Sequence, residues 1–244
     1  MRGAMQTNLS AMADAYLAWW AQAGVDSAVS EAPVNWLRPV PAPSATHASA
    51  ITAQAAPVAA MPATLDAFRE WLVQDAAQPE RRWAAAPVLP AGPPDAPLMI
   101  VTDMPDPADI GAGSLFAERA GALLESMLQA IGMNRAEVYI ASLFTSRPPG
   151  GMVEAADIDF ATRRMRAHVA LARPRKLLLL GDRTGRALLP VDDDGPENSL
   201  RFFNHDGGTL PAIATFHPRL LLGQPAAKEK CWQALQKLIE ESRP

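Results

Sequence analysis

One cysteine in 244 residues, Cys231, excludes an internal disulfide and any multi-cysteine zinc or iron–sulfur site within a single chain. No apolar run reaches the roughly 18 residues that a membrane-spanning helix needs. The start Met1-Arg2-Gly3-Ala4 has neither the apolar core nor the cleavage site of a secretory leader, so a cytoplasmic location with no membrane partner is expected. An overall basic excess is missing too. The formal net charge of −4 at pH 7 argues against a broadly cationic nucleic-acid surface. Histidine is scarce, with four in the chain, and one of them stands in a telling place. In Thr215-Phe216-His217-Pro218-Arg219-Leu220-Leu221-Leu222 the imidazole follows a short apolar strand, and Pro218 biases His217 toward extended backbone. The competing reading is a loop histidine that merely caps or packs.

What is present divides the chain. A helical segment is expected within 1–37, where Met12, Tyr16, Leu17, Trp19 and Trp20 recur at roughly helical spacing from Leu9 to Val25. Adjacent tryptophans cannot share one face, so such a helix packs on two sides or offers an aromatic to a partner. Residues 38–63 turn to Pro, Ala, Ser and Thr, a linker composition. A short helix and connector follow over 64–96, with Leu65, Phe68, Trp71 and Leu72 at helical intervals.

From residue 97 to 244 short apolar strands alternate with helices. Strands are expected at 98–101, 138–141, 176–180 and 211–215, and helices at about 114–131, 154–172, 183–189 and 225–241. That alternation predicts an α/β domain: a three-layer α/β/α sandwich around a mostly parallel, four-stranded central sheet. Chemistry in such sheets gathers beyond the carboxyl ends of the strands. The residues to inspect there are Thr102 to Pro105, Ser142 to Pro149, Gly181-Asp182 and Phe216 to Pro218. Between Arg147 and Arg186, nine basic residues stand against four acidic ones, a local basic region in an acidic protein. Arg147 heads the rigid turn Arg147-Pro148-Pro149-Gly150-Gly151 and is a candidate phosphate contact. Cys231, in Lys228-Glu229-Lys230-Cys231-Trp232, reads as a structural helix residue.

Read together, the segments form a longer pattern. Pro105, Gly113, Phe116, Ala120-Gly121, Gly132, Arg135, Val138-Tyr139-Ile140, Arg147-Pro148-Pro149-Gly150, Arg173-Pro174, Leu180-Gly181, His217-Pro218, Leu220-Leu221 and Trp232 compose a series that resembles the type 4 and related uracil-DNA glycosylases. The first motif of that family is similar to G-E-A-P-G followed by G-x-P-F-x-G-x-A-G, and the last to H-P-S-x-L-L. The resemblance covers about 97–240. It implies a base-flipping enzyme of DNA repair that acts on DNA and draws uracil into a pocket. It further implies that Phe116 stacks on the flipped base and that Ser142 stands where an asparagine pairs with the base edge. His217 then stabilises the departing uracil anion, and Asp103 stands where an acidic residue positions or activates water. Arg147 and Arg219 are the candidate DNA contacts. Read from residues alone, Asp103 is equally a loop cap and Phe116 a core residue.

The departures from the family pattern shape the expectation. Thr102-Asp103-Met104-Pro105-Asp106 replaces G-E-A-P-G, Ser142 lacks the donor and acceptor pair of an amide, and Arg219 replaces the serine of the last motif. The four cysteines that hold a 4Fe–4S cluster in type 4 enzymes have no counterparts, Ser146 standing at one such position, so no cofactor or metal is expected. The expected function is therefore a divergent glycosylase-like protein with weakened or lost base excision. The alternative is a non-catalytic scaffold resembling the psi subunit of the bacterial DNA polymerase III clamp loader, which the run Met99 to Pro105 resembles. In that case the N-terminal helix would bind replication or repair proteins.

Overall fold

The computed structural model describes residues 61–189 and 199–240. The expected tryptophan-bearing helix, its suggested protein partners and all but the last residues of the linker lie outside the described residues. Among the described residues no helix is long and apolar enough to cross a membrane.

Strands β1 (Met99–Thr102), β2 (Tyr139–Ser142), β3 (Leu177–Leu180), β4 (Arg201–His205) and β5 (Gly208–Thr215) form one sheet in the order β2-β1-β3-β5-β4. All neighbours are parallel except β4, which runs antiparallel to β5. The sheet thus has five strands rather than the four expected. The missed strand β4 buries only Phe203, while Phe202 faces solvent, so its apolar signal is one residue long. The Asp206-Gly207 turn closes the hairpin, and His205 Nδ1 accepts the Gly207 N–H at 3.0 Å.

Helices α1 (Leu65–Gln74), α2 (Pro107–Ala112), α3 (Glu118–Ala130), α4 (Ala155–Ala172), α5 (Asp182–Leu188), α6 (Pro218–Gly223) and α7 (Ala227–Glu240) complete the described elements with short 3-10 turns. The helix expected from about 114 instead starts at Glu118, because Gly113 ends α2 in a left-handed C-cap and Phe116 is left-handed as well.

Strand residues alternate between two cores, which is why these strands read as unbroken apolar runs. Met99, Val101, Tyr139, Ala141, Leu177 and Leu179 face one core together with Met165 and Val169 of α4. Ile100, Ile140, Leu178, Leu180 and Ile213 face the other with Leu124 and Leu128 of α3 and Leu235 and Leu238 of α7. The resulting arrangement is the three-layer α/β/α sandwich. Cys231 is buried in the second core, where burial raises its thiol pKa and keeps it protonated.

The connector before β1 is joined to the first layer by buried charge. In the 3-10 turn Pro79–Arg82, Glu80 meets Arg164 of α4 in a bidentate pair at 2.6 and 3.1 Å. Both side chains are almost fully buried. Glu80 Oε1 also accepts the Thr145 N–H at 2.9 Å, while Arg164 further donates to the Gln78 side chain and the Leu143 carbonyl. Burial alone would raise the Glu80 pKa, but the hydrogen bond and charge of Arg164 outweigh it and hold the carboxyl below its usual range. Arg164, counted in the basic region of the sequence, is therefore a structural cation and no part of an open face.

His168 of α4 is fully buried against Phe68 and bonded to the Tyr139 hydroxyl at 2.9 Å. Burial, reinforced by the positive charges of Arg164 and Arg69, pushes its pKa down to about 3.

These groups set two expectations. Replacing Arg164 by Ala strands a buried carboxylate and costs about 3–5 kcal/mol, measured by urea unfolding, whereas the double change to Glu80→Leu with Arg164→Met recovers much of the loss. His168 takes up a proton near pH 6.5 only when unfolded, so its contribution is complete above that pH and declines as the pH falls toward 3. The slope is about 1.4 kcal/mol per pH unit, to which Glu80 adds below the ordinary carboxylate range. Unfolding free energies over pH 4 to 7 check this, and a His168→Leu protein should show a flatter profile.

Candidate active site at the carboxyl edge of the sheet

Register brings four chain positions to one edge. Thr102 pairs with Ser142 and Leu180, and Leu180 pairs with Thr215, so the loops that begin at Asp103, Leu143, Gly181 and Phe216 emerge side by side. They border a cavity of about 270 Å3 whose wall includes Thr102, Asp103, Asp106, Arg147, Gly151, Arg183, His217 and Arg219. The sequence-selected Asp103, His217, Arg147 and Arg219 are thus brought together.

His217 is held at the start of α6. Its Nδ1 accepts the Arg219 N–H at 3.1 Å, which leaves Nε2 as the protonated donor of the neutral ring. Burial, opposed by Asp106 and assisted by Arg219, lowers its pKa and favours that neutral form. Capping and site placement therefore belong to the same residue.

Asp103 is half-buried opposite. Its Oδ2 accepts from Arg183 Nη1 at 2.7 Å, while Oδ1 is buried and accepts no hydrogen bond from the described protein; the neighbouring Thr102 Oγ1 is in the same condition. Burial raises the Asp103 pKa above its ordinary value, against the pull of Arg183, Arg147 and Arg219. Both residues line the cavity, while these two oxygens are themselves shut off from it.

Asp106 lines the same cavity. It contacts Arg219 Nη1 at 2.5 Å and Arg147 Nη1 at 3.6 Å, so both candidate DNA contacts are engaged by one carboxylate. Arg147 also donates to the Pro105 carbonyl at 3.3 Å.

The other two sequence-selected residues are placed differently. Phe116 is 4% exposed and stacks on His217, with ring centroids 5.3 Å apart and planes 25° from parallel. A base cannot enter between rings at that separation. Ser142 is buried and donates its Oγ–H to the Phe144 carbonyl at 2.7 Å, and it is not on the cavity wall.

The Phe116 loop is rigidly built. Asp109 Oδ1 accepts the Ala117 N–H at 2.7 Å and Oδ2 the Asp106 N–H at 3.0 Å. Arg135 donates to the Leu115 and Phe116 carbonyls. Gly121 permits the close approach of this loop to α3, since a Cβ there would lie 2.0 Å from the Phe116 oxygen. Glu118 is left-handed at φ 53°, at the position where the motif G-x-P-F-x-G-x-A-G carries its middle glycine.

Arg183 and Asp109 were not selected as site residues from the sequence. Arg183 follows Gly181-Asp182, a strand end already marked for inspection, which was the available signal. Asp109 had none, because its role is set by backbone groups of a distant loop.

The fold and this edge define a class: an open α/β protein with a histidine and a carboxylate facing one polar cleft beyond a parallel sheet. The model of the uracil-DNA glycosylase superfamily matches residues 89–236, and the chain belongs to that superfamily. It is similar to two proteins named type-4 uracil-DNA glycosylase. The one from Pyrobaculum aerophilum is 24% identical over 138 residues, spanning 54% of this chain and 70% of the relative. The one from Archaeoglobus fulgidus is 26% identical over 157 residues, spanning 59% and 76%.

The 4Fe–4S cluster implied by the type 4 resemblance does not fit this chain. The single cysteine lies buried in the second core, and among the described residues no three His, Cys, Asp or Glu side chains converge to hold a metal. Ser146, at a cluster-cysteine position, is buried next to Thr145, whose N–H serves the Glu80–Arg164 pair.

The left-handed Glu118 gives a direct check on the loop. Glu118→Gly relieves a conformation that costs an L-residue about 1–2 kcal/mol, less the entropy of added chain freedom. A stability increase of about 1 kcal/mol in urea unfolding is expected, and a decrease would show that Glu118 makes compensating contacts.

Proposed function

We propose that this chain is a cluster-free, uracil-DNA glycosylase-like enzyme of DNA repair whose base excision is weakened by contacts within its own pocket. The observation that carries the reading is the placement of His217 and Asp103 on one cavity at the carboxyl edge of the sheet, with His217 Nε2 free to donate. In the proposed reaction the bond from the sugar C1′ to the base nitrogen breaks, and its electron pair leaves with the base. His217 Nε2–H donates to the base oxygen on which the charge collects. A water activated by the Asp103 carboxylate attacks C1′, and its proton passes to that carboxylate. Phe116 supplies a stacking face, and Arg147 and Arg219 engage phosphates on either side of the extruded nucleotide.

Three contacts support the weakening. Phe116 must leave His217 before a base can stack on it, Ser142 spends its donor on the Phe144 carbonyl, and Asp106 holds both phosphate-binding arginines. Nothing in the described residues favours the scaffold alternative, whose proposed contact segment lies outside them.

Release of uracil from an oligonucleotide tests the reading. His217→Ala should lower the rate about 100-fold, the usual order for loss of a donor to a developing anion. Equal release by wild type and His217→Ala would refute it. The reaction needs neutral His217 and ionised Asp103. Since the first pKa is lowered and the second raised, the rate should be level near neutral pH and fall on the acid side, between the ordinary histidine and carboxylate values.

A further inference from the structure

Arg183 is a cation in an unfavourable place for its own helix. It stands second in α5 (Asp182–Leu188), where the N–H groups of the first turn disfavour positive charge. Its partners lie across the cavity that it lines. Its Nη1 donates to Asp103 Oδ2 at 2.7 Å, and its Nη2 donates to the Gly151 carbonyl at 3.4 Å. One guanidinium thus joins the start of α5, the loop after β1 and the Pro-Pro-Gly-Gly turn. Gly151 is left-handed at φ 70°, and a Cβ there would lie 3.3 Å from Arg147 Nη2. Glycine therefore lets the turn lie against Arg147 while Arg183 takes its carbonyl.

The cations of the cavity are divided between its carboxylates. Asp106 Oδ1 engages Arg219 and Arg147, at 2.5 and 3.6 Å, whereas Arg183 is bonded to Asp103. With Asp103 Oδ1 shut off from the cavity, Oδ2 is the carboxylate oxygen that can face a water there, and it is the oxygen that Arg183 holds. An oxygen so held keeps a second lone-pair direction for that water. Charge acts in the same sense. Burial favours the neutral acid, and Arg183 is the largest opposing influence, ahead of Arg147 and Arg219. Asp106, Asp182 and His217 are the other titratable groups on the cavity wall, and Asp182 is bonded to Arg186 at 2.9 Å.

We propose that Arg183 is a positioning residue for Asp103: it fixes the direction of Oδ2, the oxygen that takes the proton of the attacking water, and braces that carboxylate against the Gly151 turn. The inference rests on the proposed glycosylase reaction and names the residue through which its base is held. Arg183 acts through the carboxylate and not on the reacting atoms.

The test uses the full chain with aspartate labelled with carbon-13 at the side-chain carboxyl, the Asp103 resonance being assigned by its loss in Asp103→Asn. Its titration by NMR is followed beside the pH dependence of uracil release from an oligonucleotide. Arg183→Met should move the Asp103 midpoint upward by about one pH unit or more, the usual effect of losing a bonded opposite charge. Arg183→Lys keeps the charge without the fork and should hold the midpoint near that of wild type. In release, Arg183→Met should lower kcat about tenfold with KM little changed, and the acid limb should move up with the midpoint. Thermal unfolding checks each variant, and Arg183→Gln takes the place of Arg183→Met should the latter not fold. A midpoint unmoved in the neutral variant overturns the assignment, as does an unchanged kcat. If wild type releases no uracil, the glycosylase reading fails and carries the positioning role with it; the NMR midpoint separates that failure from a misassigned Arg183.

Discussion

Arg164 and Glu80, buried side by side, tie three separate stretches of chain to one point. The connector before β1 supplies Glu80 and Gln78, α4 supplies the guanidinium, and the loop after β2 supplies the Thr145 N–H and the Leu143 carbonyl. Two charges taken out of water are stable only when geometry and extra hydrogen bonds satisfy them, and here nearly every polar atom of the pair is engaged. The loop so fixed runs on directly to Ser146, Arg147 and the Pro-Pro-Gly-Gly turn. The site edge therefore inherits its shape from a contact lying behind it. A 4Fe–4S cluster would need four cysteines that this chain lacks. The connector, the β2 loop and α4 are joined by side-chain charge and main-chain hydrogen bonds.

A second theme is that departures from the family pattern meet one another in space. Asp106 replaces a glycine of the first motif and Arg219 replaces a serine of the last, and the two are 2.5 Å apart. An unpaired carboxylate on this cavity would repel an anionic ligand. Together Asp106 and Arg219 form an ion pair on the cavity wall. Arg219 is largely exposed, so the pair adds little to stability. Its consequence is that the Arg219 guanidinium is held by a carboxylate on the cavity wall. Asp103 and Arg183 form a second such pair on the same cavity, though there one carboxylate oxygen is left without a protein partner.

Most of the architecture was legible in the sequence because the parallel strands are buried on both faces. Leu177-Leu178-Leu179-Leu180 needs no partner to be recognised, and the positions of β1, β2 and β3 fall within a residue of expectation. β4 was not legible, since a strand with one buried residue at the sheet edge resembles a loop. The histidine and its strand end were legible from Phe216-His217-Pro218. What the sequence could not show is side-chain direction. Whether Ser142 faces the cavity or the Phe144 carbonyl, and whether Phe116 lies open or against His217, are decided by χ angles and by a left-handed loop. Motif spacing carries no information about either.

The central claim is that the proposed glycosylase geometry is restrained by contacts within its own pocket. Asp106→Gly tests it most directly, because it restores the family residue, removes the carboxylate that engages Arg147 and Arg219 and leaves His217 and Asp103 in place. Glycine is also an acceptable residue at the start of α2, so folding should be nearly unchanged. Uracil release by Asp106→Gly should exceed that of wild type by about tenfold, a barrier change of about 1.4 kcal/mol. A folded Asp106→Gly protein that releases uracil no faster than wild type would contradict the claim.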